Sequence, residues 1–357
     1  MLIDENDYPE TPLVLIEEEI VLRNIRRYQE YCDRHGLKLR PHIKTHKLHR
    51  FALEQIRQGA TGITCQKISE AEAMARAYRE DILITYNIVG EAKLKRLKEL
   101  ARIVTRLSVT ADSKEVITGL GQTFAGEKKT LSVLVECDTG AGRCGVQNPE
   151  SALQLAKEIL KYPGLTFAGL MTYPANGGGD KVADFMREAV ALLKREGIDC
   201  PVISGGNSPD MWSAAEVKGV TEVRPGTYIY NDRSLIERGT CQESDCALTV
   251  LSTVVSRPVP HRAVIDAGSK ILTNDLFGLK NYGRVLNSPD LQVTGLSEEH
   301  GIITDVTGKT LDLKIGQKVR IIPNHCCVVS NMVDQVHIRE KSGKINPEPL
   351  AARGAVT

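Results

Sequence analysis

Short β-branched and apolar runs alternate with amphipathic stretches through the first two-thirds of the chain, the texture of strands separated by helices. Eight strand-like runs stand out. They are Leu37–Lys44, Thr61–Gln66, Asp81–Tyr86, Arg106–Thr110, Leu131–Cys137, Phe167–Thr172, Val202–Gly205 and Thr221–Arg224. The intervening segments carry helical periodicity, clearest in Glu17–Arg34, Pro149–Lys161 and Lys181–Arg195. Ser69 reads as the cap of a helix over Ser69–Arg79, ahead of Glu70 and Glu72. Pro209 reads as a first-turn proline behind a Ser208 cap.

Eight alternations in about 210 residues fit a closed (β/α)8 TIM-like barrel. An open doubly wound sheet is the competing arrangement, but it would call for a Gly-rich turn after the first strand. The first strand here ends in Arg40-Pro-His-Ile-Lys44 instead. After Asp232 the texture changes. Residues 247–256, 262–267, 291–295, 302–306, 318–322 and 327–338 are strand-like, with no convincing long helix. The expected organisation is an α/β barrel over residues 1–240 and a smaller all-β domain over 241–357. The first ~15 residues are a candidate for pairing with that second domain.

Composition narrows the function class. The 357 residues suit two domains, and 41% hydrophobic with 25% charged residues is ordinary for a globular protein. A net charge of +1 marks no surface for nucleic acid or anionic membrane. No apolar stretch approaches the ~18 residues needed to span a bilayer. The first ten residues are acidic, unlike a secretory leader. Nine cysteines, an odd number, read as free thiols in a reducing cytoplasm.

In such a barrel the reactive groups stand at the C-terminal ends of the strands. Those ends supply Lys44, Gln66, Tyr86, Asn87, Thr110, Asp138, Arg143 and Tyr173, then Ser204-Gly205-Gly206-Asn207-Ser208 and Arg224-Pro225-Gly226-Thr227. The last two loops are where such barrels hold a phosphate, with glycines admitting the backbone N–H groups. A tight turn is the alternative reading of the Gly-Gly pair. A lysine at a barrel mouth among cations is the setting that makes a Schiff-base amine nucleophilic, although a solvated basic loop would share the same composition. Lys44 facing a phosphate cradle points to pyridoxal phosphate.

Pro41-His-Ile-Lys-Thr-His-Lys47, Gly62-Ile-Thr-Cys-Gln-Lys67, Asp138-Thr-Gly-Ala-Gly-Arg-Cys-Gly145, Ser204-Gly-Gly-Asn-Ser208, Arg224-Pro-Gly-Thr227 and Pro323-Asn-His-Cys-Cys327 recur together in one family. In these motifs the chain resembles the metal-dependent D-threonine aldolases and D-serine dehydratases, whose fold is of the alanine-racemase type with pyridoxal phosphate. The resemblance implies that Lys44 carries the cofactor's aldehyde. It places Arg143 near the phenolic oxygen and Gln66 and Tyr173 along the ring. Ser204, Gly205, Gly206 and Asn207, with Gly226 and Thr227, would hold the phosphate, and Arg224 would meet the pyridine nitrogen. It also implies a homodimer.

A His-x-Cys pair in a strand would put both side chains on one face, about 7 Å apart. Within the family's Pro-x-His motif, His325 and Cys327 become candidate metal ligands. Thiolate favours zinc, while manganese or magnesium would better suit aspartate ligation. Cys326 would face away and pack. The implied substrate is a D-β-hydroxy-α-amino acid. Loss of the hydroxyl proton leads to Cα–Cβ cleavage, giving glycine and an aldehyde. Loss of the Cα proton expels water, giving a 2-oxo acid and ammonia. No histidine lies between His49 and His261, so metal-bound hydroxide, His42 or His46 would be the base. The segment Val329–Asp334 resembles the aldolase pattern and Cys327 the dehydratase branch; aldolase is the primary expectation and dehydratase the alternative. A racemase would need a tyrosine base near Asp266–Ile271, where only Lys270 offers a candidate, expected to be ion-paired instead. A non-catalytic cofactor carrier would not need the β domain.

Overall fold

The computed structural model describes residues 10–357, so nine of the ten residues of the acidic N-terminal segment lie outside the described residues. The described chain forms two compact units. One comprises the residues up to Asn24 with Thr227–Gly354, the other Ile25–Gly226 with Ala355–Thr357. The divisions fall within α1 (Glu18–Arg34) and between Gly226 and Thr227, ahead of the boundary at residue 240 read from texture. Among the described residues no helix is long and apolar enough to cross a membrane.

The second of these units is the expected parallel barrel. Its staves are β2 (Lys38–Leu39), β3 (Ile63–Cys65), β4 (Asp81–Asn87), β5 (Arg106–Ala111), β6 (Leu131–Cys137), β7 (Leu165–Thr172), β8 (Val202–Gly205) and β9 (Glu222–Val223). They pair in the order β2-β9-β8-β7-β6-β5-β4-β3. The two ends meet through a single parallel bridge between His42 and Thr64, reinforced by the Thr64 N–H donating to Pro41 at 2.9 Å. The helices α2 (His49–Arg57), α3 (Ile68–Met74), α4 (Glu91–Ile103), α5 (Lys114–Phe124), α6 (Pro149–Ile159) and α7 (Gly179–Arg195) separate the staves. Leu83, Leu134 and Met171 pack together as part of the core. Arg40 links Asp81 (2.6 Å) and Glu222 (2.8 Å), both buried. Gly62 makes room for it, since a Cβ there would clash with Arg40 Nη1.

Three local expectations are corrected. The first strand stops at Leu39, because Pro41 has no N–H to donate, and Lys44 stands on a 3-10 turn, Ile43–Thr45. Ser69 lies inside the first turn of α3, whose cap position is Lys67, and its hydroxyl donates to Thr357 instead. Ser208-Pro209 leads into a 3-10 turn, Met211–Glu216, rather than an α-helix N-terminus.

The other unit is a nine-stranded sheet in the order β11-β14-β13-β12-β15-β10-β1-β16-β17. It consists of β1 (Leu13–Glu17), β10 (Leu248–Val259), β11 (Arg262–Ile265), β12 (Gly283–Val285), β13 (Ser288–Leu296), β14 (Gly301–Asp305), β15 (Lys318–Pro323), β16 (Gln335–Arg339) and β17 (Ile345–Pro349). An added β10–β11 pairing joins six of these strands into a ring. β1 lies antiparallel to β10 and parallel to β16, so the early chain supplies a central strand, and every residue of β1 is buried. Three short helices interrupt the unit: α8 (Arg233–Glu237), α9 (Ser269–Leu272) and α10 (Cys326–Met332). The strand expected over 327–338 is therefore α10 followed by β16. The Cys326 N–H donates to the buried Asp232 carboxylate, satisfying a helix-start donor and overriding the β preference of Cys-Cys-Val-Val.

Candidate functional site

The chemistry-bearing residues fall into two clusters, one within each unit. In the barrel, the Lys44 turn sits at the seam closed by His42. The Lys44 backbone N–H donates to His42 Nδ1 at 3.4 Å. His42 Nε2 lies 3.1 Å from Gln66 Oε1, and the Gln66 amide donates to Thr85 at 2.8 Å. This chain of bonds fixes His42 with its proton on Nε2. Burial, then the charge of Lys44, holds its pKa well below the ordinary imidazole value, so the ring is neutral. His46 is equally committed. Its Nδ1 accepts the Leu48 N–H at 3.1 Å, and its Nε2 faces Gln55 at 3.3 Å. Both ring nitrogens of each candidate base are thus occupied.

Lys47, the last residue of the same motif, forms a buried ion pair with Glu70 at 3.2 Å. Glu70 also accepts the Gln66 backbone N–H at 2.6 Å, tying the Lys44 turn to the end of β3. Across the mouth the Arg143 guanidinium lies over the Tyr173 ring at 4.4 Å, a cation–π arrangement, and 3.8 Å from Glu136. Glu136 is buried on β6. Burial raises its pKa, while the charges of Arg143 and Arg224 oppose the rise. Arg224 is buried too. Its Nη1 donates to Ser204 Oγ at 2.5 Å and its Nη2 to the Thr172 carbonyl at 2.7 Å. Burial lowers its pKa to about 10, partly offset by Glu222 and Glu136, so it keeps its charge at neutral pH.

The glycine loop after β8 is built differently from a ring of hydroxyl donors. The Ser204 hydroxyl donates to Glu222 at 2.5 Å while accepting from Arg224, so it belongs to the wall. The Asn207 side chain accepts the Asp210 N–H at 2.8 Å and donates back to Asp210 at 3.2 Å. The Gly226 N–H donates to Ser208 Oγ at 3.2 Å. Gly205 ends β8, buried, with its carbonyl accepting the Arg224 N–H at 3.2 Å, and Gly206 follows it half-buried. Gly206 has φ +79°, and a Cβ on it would lie 3.2 Å from Val223 Cγ1. A glycine-bearing loop two staves from the lysine turn, in the order β2-β9-β8, suits a phosphate-bearing aldehyde.

The second cluster lies in the β unit. His325 is extended, at the cap position of α10, and Cys327 is in that helix's first turn. The two side chains meet across a strand-to-helix corner instead of along one strand face. The ring is within hydrogen-bonding reach of the Cys327 thiol, and its Nδ1 lies 2.9 Å from Asp232. Burial lowers the His325 pKa, but Cys327 and Asp232 outweigh it and lift the ring to about 11. Phe277 stacks on the imidazole, with centroids 4.4 Å apart and planes within 4°. Thr227, expected at the phosphate, has its hydroxyl 3.7 Å from Cys327 Sγ. Cys326 is fully buried, as its expected packing role requires. Among the described residues no three His, Cys, Asp or Glu side chains form a closed metal cage. An imidazole beside a thiol, with the other ring nitrogen on a carboxylate, nonetheless supplies two donors of the types that zinc takes. Lys270 pairs with Glu299 at 2.5 Å and Glu298 at 3.4 Å on the surface, as expected of an ion-paired residue.

Glu136, Glu222, Asp232 and Thr85 were not singled out from sequence. Glu136 carried a signal, an acid inside an otherwise mostly apolar strand run; the other three carried none.

Residues 16–234 match the family described as alanine racemase, N-terminal domain, and residues 247–339 match a serine dehydratase domain. The chain is similar to a 3-hydroxy-D-aspartate aldolase of Paracoccus denitrificans (strain Pd 1222), at 32% identity over 99% of this chain and 94% of that protein. Its fold matches the crystal structure of a D-threonine aldolase from Filomicrobium marinum, with a TM-score of 0.88 at 29% identity over 98% of this chain and 97% of that one. It also matches D-threo-3-hydroxyaspartate dehydratase from Delftia sp. HT23, with a TM-score of 0.88 at 28% identity over 95% and 97% of the two chains. A mutant of the same dehydratase is described as being in the metal-free form.

Proposed function

The chain belongs to the alanine racemase N-terminal-domain family, joined to a serine dehydratase-type second domain, and from that premise we propose that it is a lyase of D-β-hydroxy-α-amino acids. It would use pyridoxal phosphate and a divalent metal, with zinc the best match to a thiolate ligand. The favoured reaction is retro-aldol cleavage to glycine and an aldehyde. The observation that favours a lyase over a racemase is the His325–Cys327 pair backed by Asp232, a feature that Cα racemisation does not need.

When bound, pyridoxal phosphate supplies an electron sink for charge developing at Cα, and the metal supplies a Lewis acid for the β-hydroxyl. Lys44 offers the amine that holds the cofactor's aldehyde, on a turn pinned by His42. Arg143, lying over Tyr173, offers positive charge at the mouth. The Gly205-Gly206 backbone, with Asn207 and Gly226 shaping the loops around it, would face the phosphate. Arg224 remains charged beside the barrel core and would leave the ring nitrogen unprotonated. Because His42 and His46 have both nitrogens engaged, neither is free to take the substrate's proton, and His325 and Cys327 are left as the residues that would act on the hydroxyl through the metal. The same family resemblance supports a homodimer, which sedimentation velocity would test, and the free thiols suit a reducing compartment.

Dehydration to a 2-oxo acid and ammonia is the second reading, favoured by Cys327, which matches the dehydratase branch. Incubating the zinc- or manganese-loaded protein with D-threonine separates the two. Acetaldehyde with glycine supports cleavage; predominant 2-oxobutanoate overturns it in favour of dehydration.

A further inference from the structure

Asp232 is completely buried, yet no sequence motif marks it. It caps α8, and its carboxylate gathers four donors. Oδ2 accepts from His325 Nδ1 at 2.9 Å and from the Cys326 N–H at 3.1 Å. Oδ1 accepts from the Ser234 hydroxyl at 2.6 Å and the Leu235 N–H at 3.2 Å. A carboxylate that accepts at every one of these contacts can meet Nδ1 only as an N–H donor. The imidazole is therefore held by one edge, while Phe277 covers one of its faces. Nε2, the ring's other nitrogen, is the atom that would meet a metal together with the neighbouring Cys327.

We propose that Asp232 is the positioning residue of a His325–Cys327 metal site, holding the proton on Nδ1 and presenting the Nε2 lone pair to the cation. The same carboxylate binds the first N–H of α10, so one group sets both the ring that starts the motif and the helix turn that carries Cys327. A carboxylate behind a ligating histidine also raises its basicity, and losing such a partner costs about 10- to 100-fold in metal affinity. This inference rests on the metal reading above and adds to it a tautomer, a coordinating atom and the group that enforces them.

The test is zinc titration of the chelator-stripped holoenzyme against a chromophoric competitor, for wild type, Asp232→Asn, His325→Ala and Cys327→Ala. The proposal expects Asp232→Asn to bind zinc about 10- to 100-fold more weakly, with the thermal unfolding of the zinc-free protein preserved. Loss of binding in His325→Ala and Cys327→Ala together with unchanged affinity in Asp232→Asn would overturn the role of Asp232 alone. Wild-type affinity in both ligand variants would overturn the metal site beneath it. Should Asp232→Asn not fold, nitrogen-15 NMR of the histidine rings in zinc-loaded wild type answers the same question. A protonated Nδ1 with zinc-shifted Nε2 supports the proposal, and zinc on Nδ1 refutes it.

Discussion

His42 is buried against Lys44, hydrogen-bonded at both nitrogens, and held neutral. Its protonation is therefore coupled to folding. The unfolded chain takes up a proton near the ordinary imidazole pKa of about 6.5, whereas the folded one does not until a lower pH. Stability is thus fully present above about pH 6.5 and is lost as pH falls towards the folded pKa, at about 1.4 kcal/mol per pH unit from this one group. His42→Gln is expected to remove that share of the acid slope in urea denaturation measured across this window; an unaltered slope would show that His42 titrates freely. At this scale the sequence disclosed the proposed reactive groups better than the residues packed around them. Lys44, Arg143 and Tyr173 could be found because the ends of barrel strands are known in advance to converge. Glu136 and Glu222 are tied to arginines by burial, and Asp232 is tied to His325 across 93 residues of chain, a pairing that local pattern cannot express.

Among the elements, β1 carries more than its five residues suggest. It is bonded on one side to β10 and on the other to β16, so removing it would separate β16 and β17 from the rest of the sheet. Leu15 is fully buried at its centre. Leu15→Ala is expected to cost about 2–5 kcal/mol by the burial and cavity it removes. Denaturant midpoints would measure the loss, and a value below about 1 kcal/mol would mean that the sheet does not depend on this strand. Pairing of the first ~15 residues with the second domain was expected from sequence, but the register, Leu13 opposite Leu251, joins positions more than 230 residues apart that local pattern does not fix. The helix α10 was misread for the opposite reason. Its β-branched valines favour a strand locally, and the carboxylate that reverses the preference comes from another segment.

For the whole molecule, the alternation of strands and helices was enough to specify a barrel and a second β domain, because eight repeats of one period leave few topologies. Their division was less legible, since the chain passes between the units inside a helix after Asn24 and again after Gly226, ahead of residue 240. The proposed cofactor lysine and the proposed metal pair also belong to different units. Chelation is therefore expected to abolish turnover while leaving the cofactor's absorbance on Lys44 intact, with zinc restoring activity. Loss of the absorbance on chelation would contradict that separation.

The barrel seam carries a further consequence. β2 and β9 are two residues each and β3 is three, whereas β4, β6 and β7 run to seven or eight. The wall is thus least laced by backbone hydrogen bonds where Lys44 stands, and local openings should begin there sooner than in the long staves opposite. A ligand spanning from Lys44 to the loop after β8 would act as a rivet across that weak arc. Occupancy would then damp breathing of the barrel wall, making the resting protein more pliable than the loaded one.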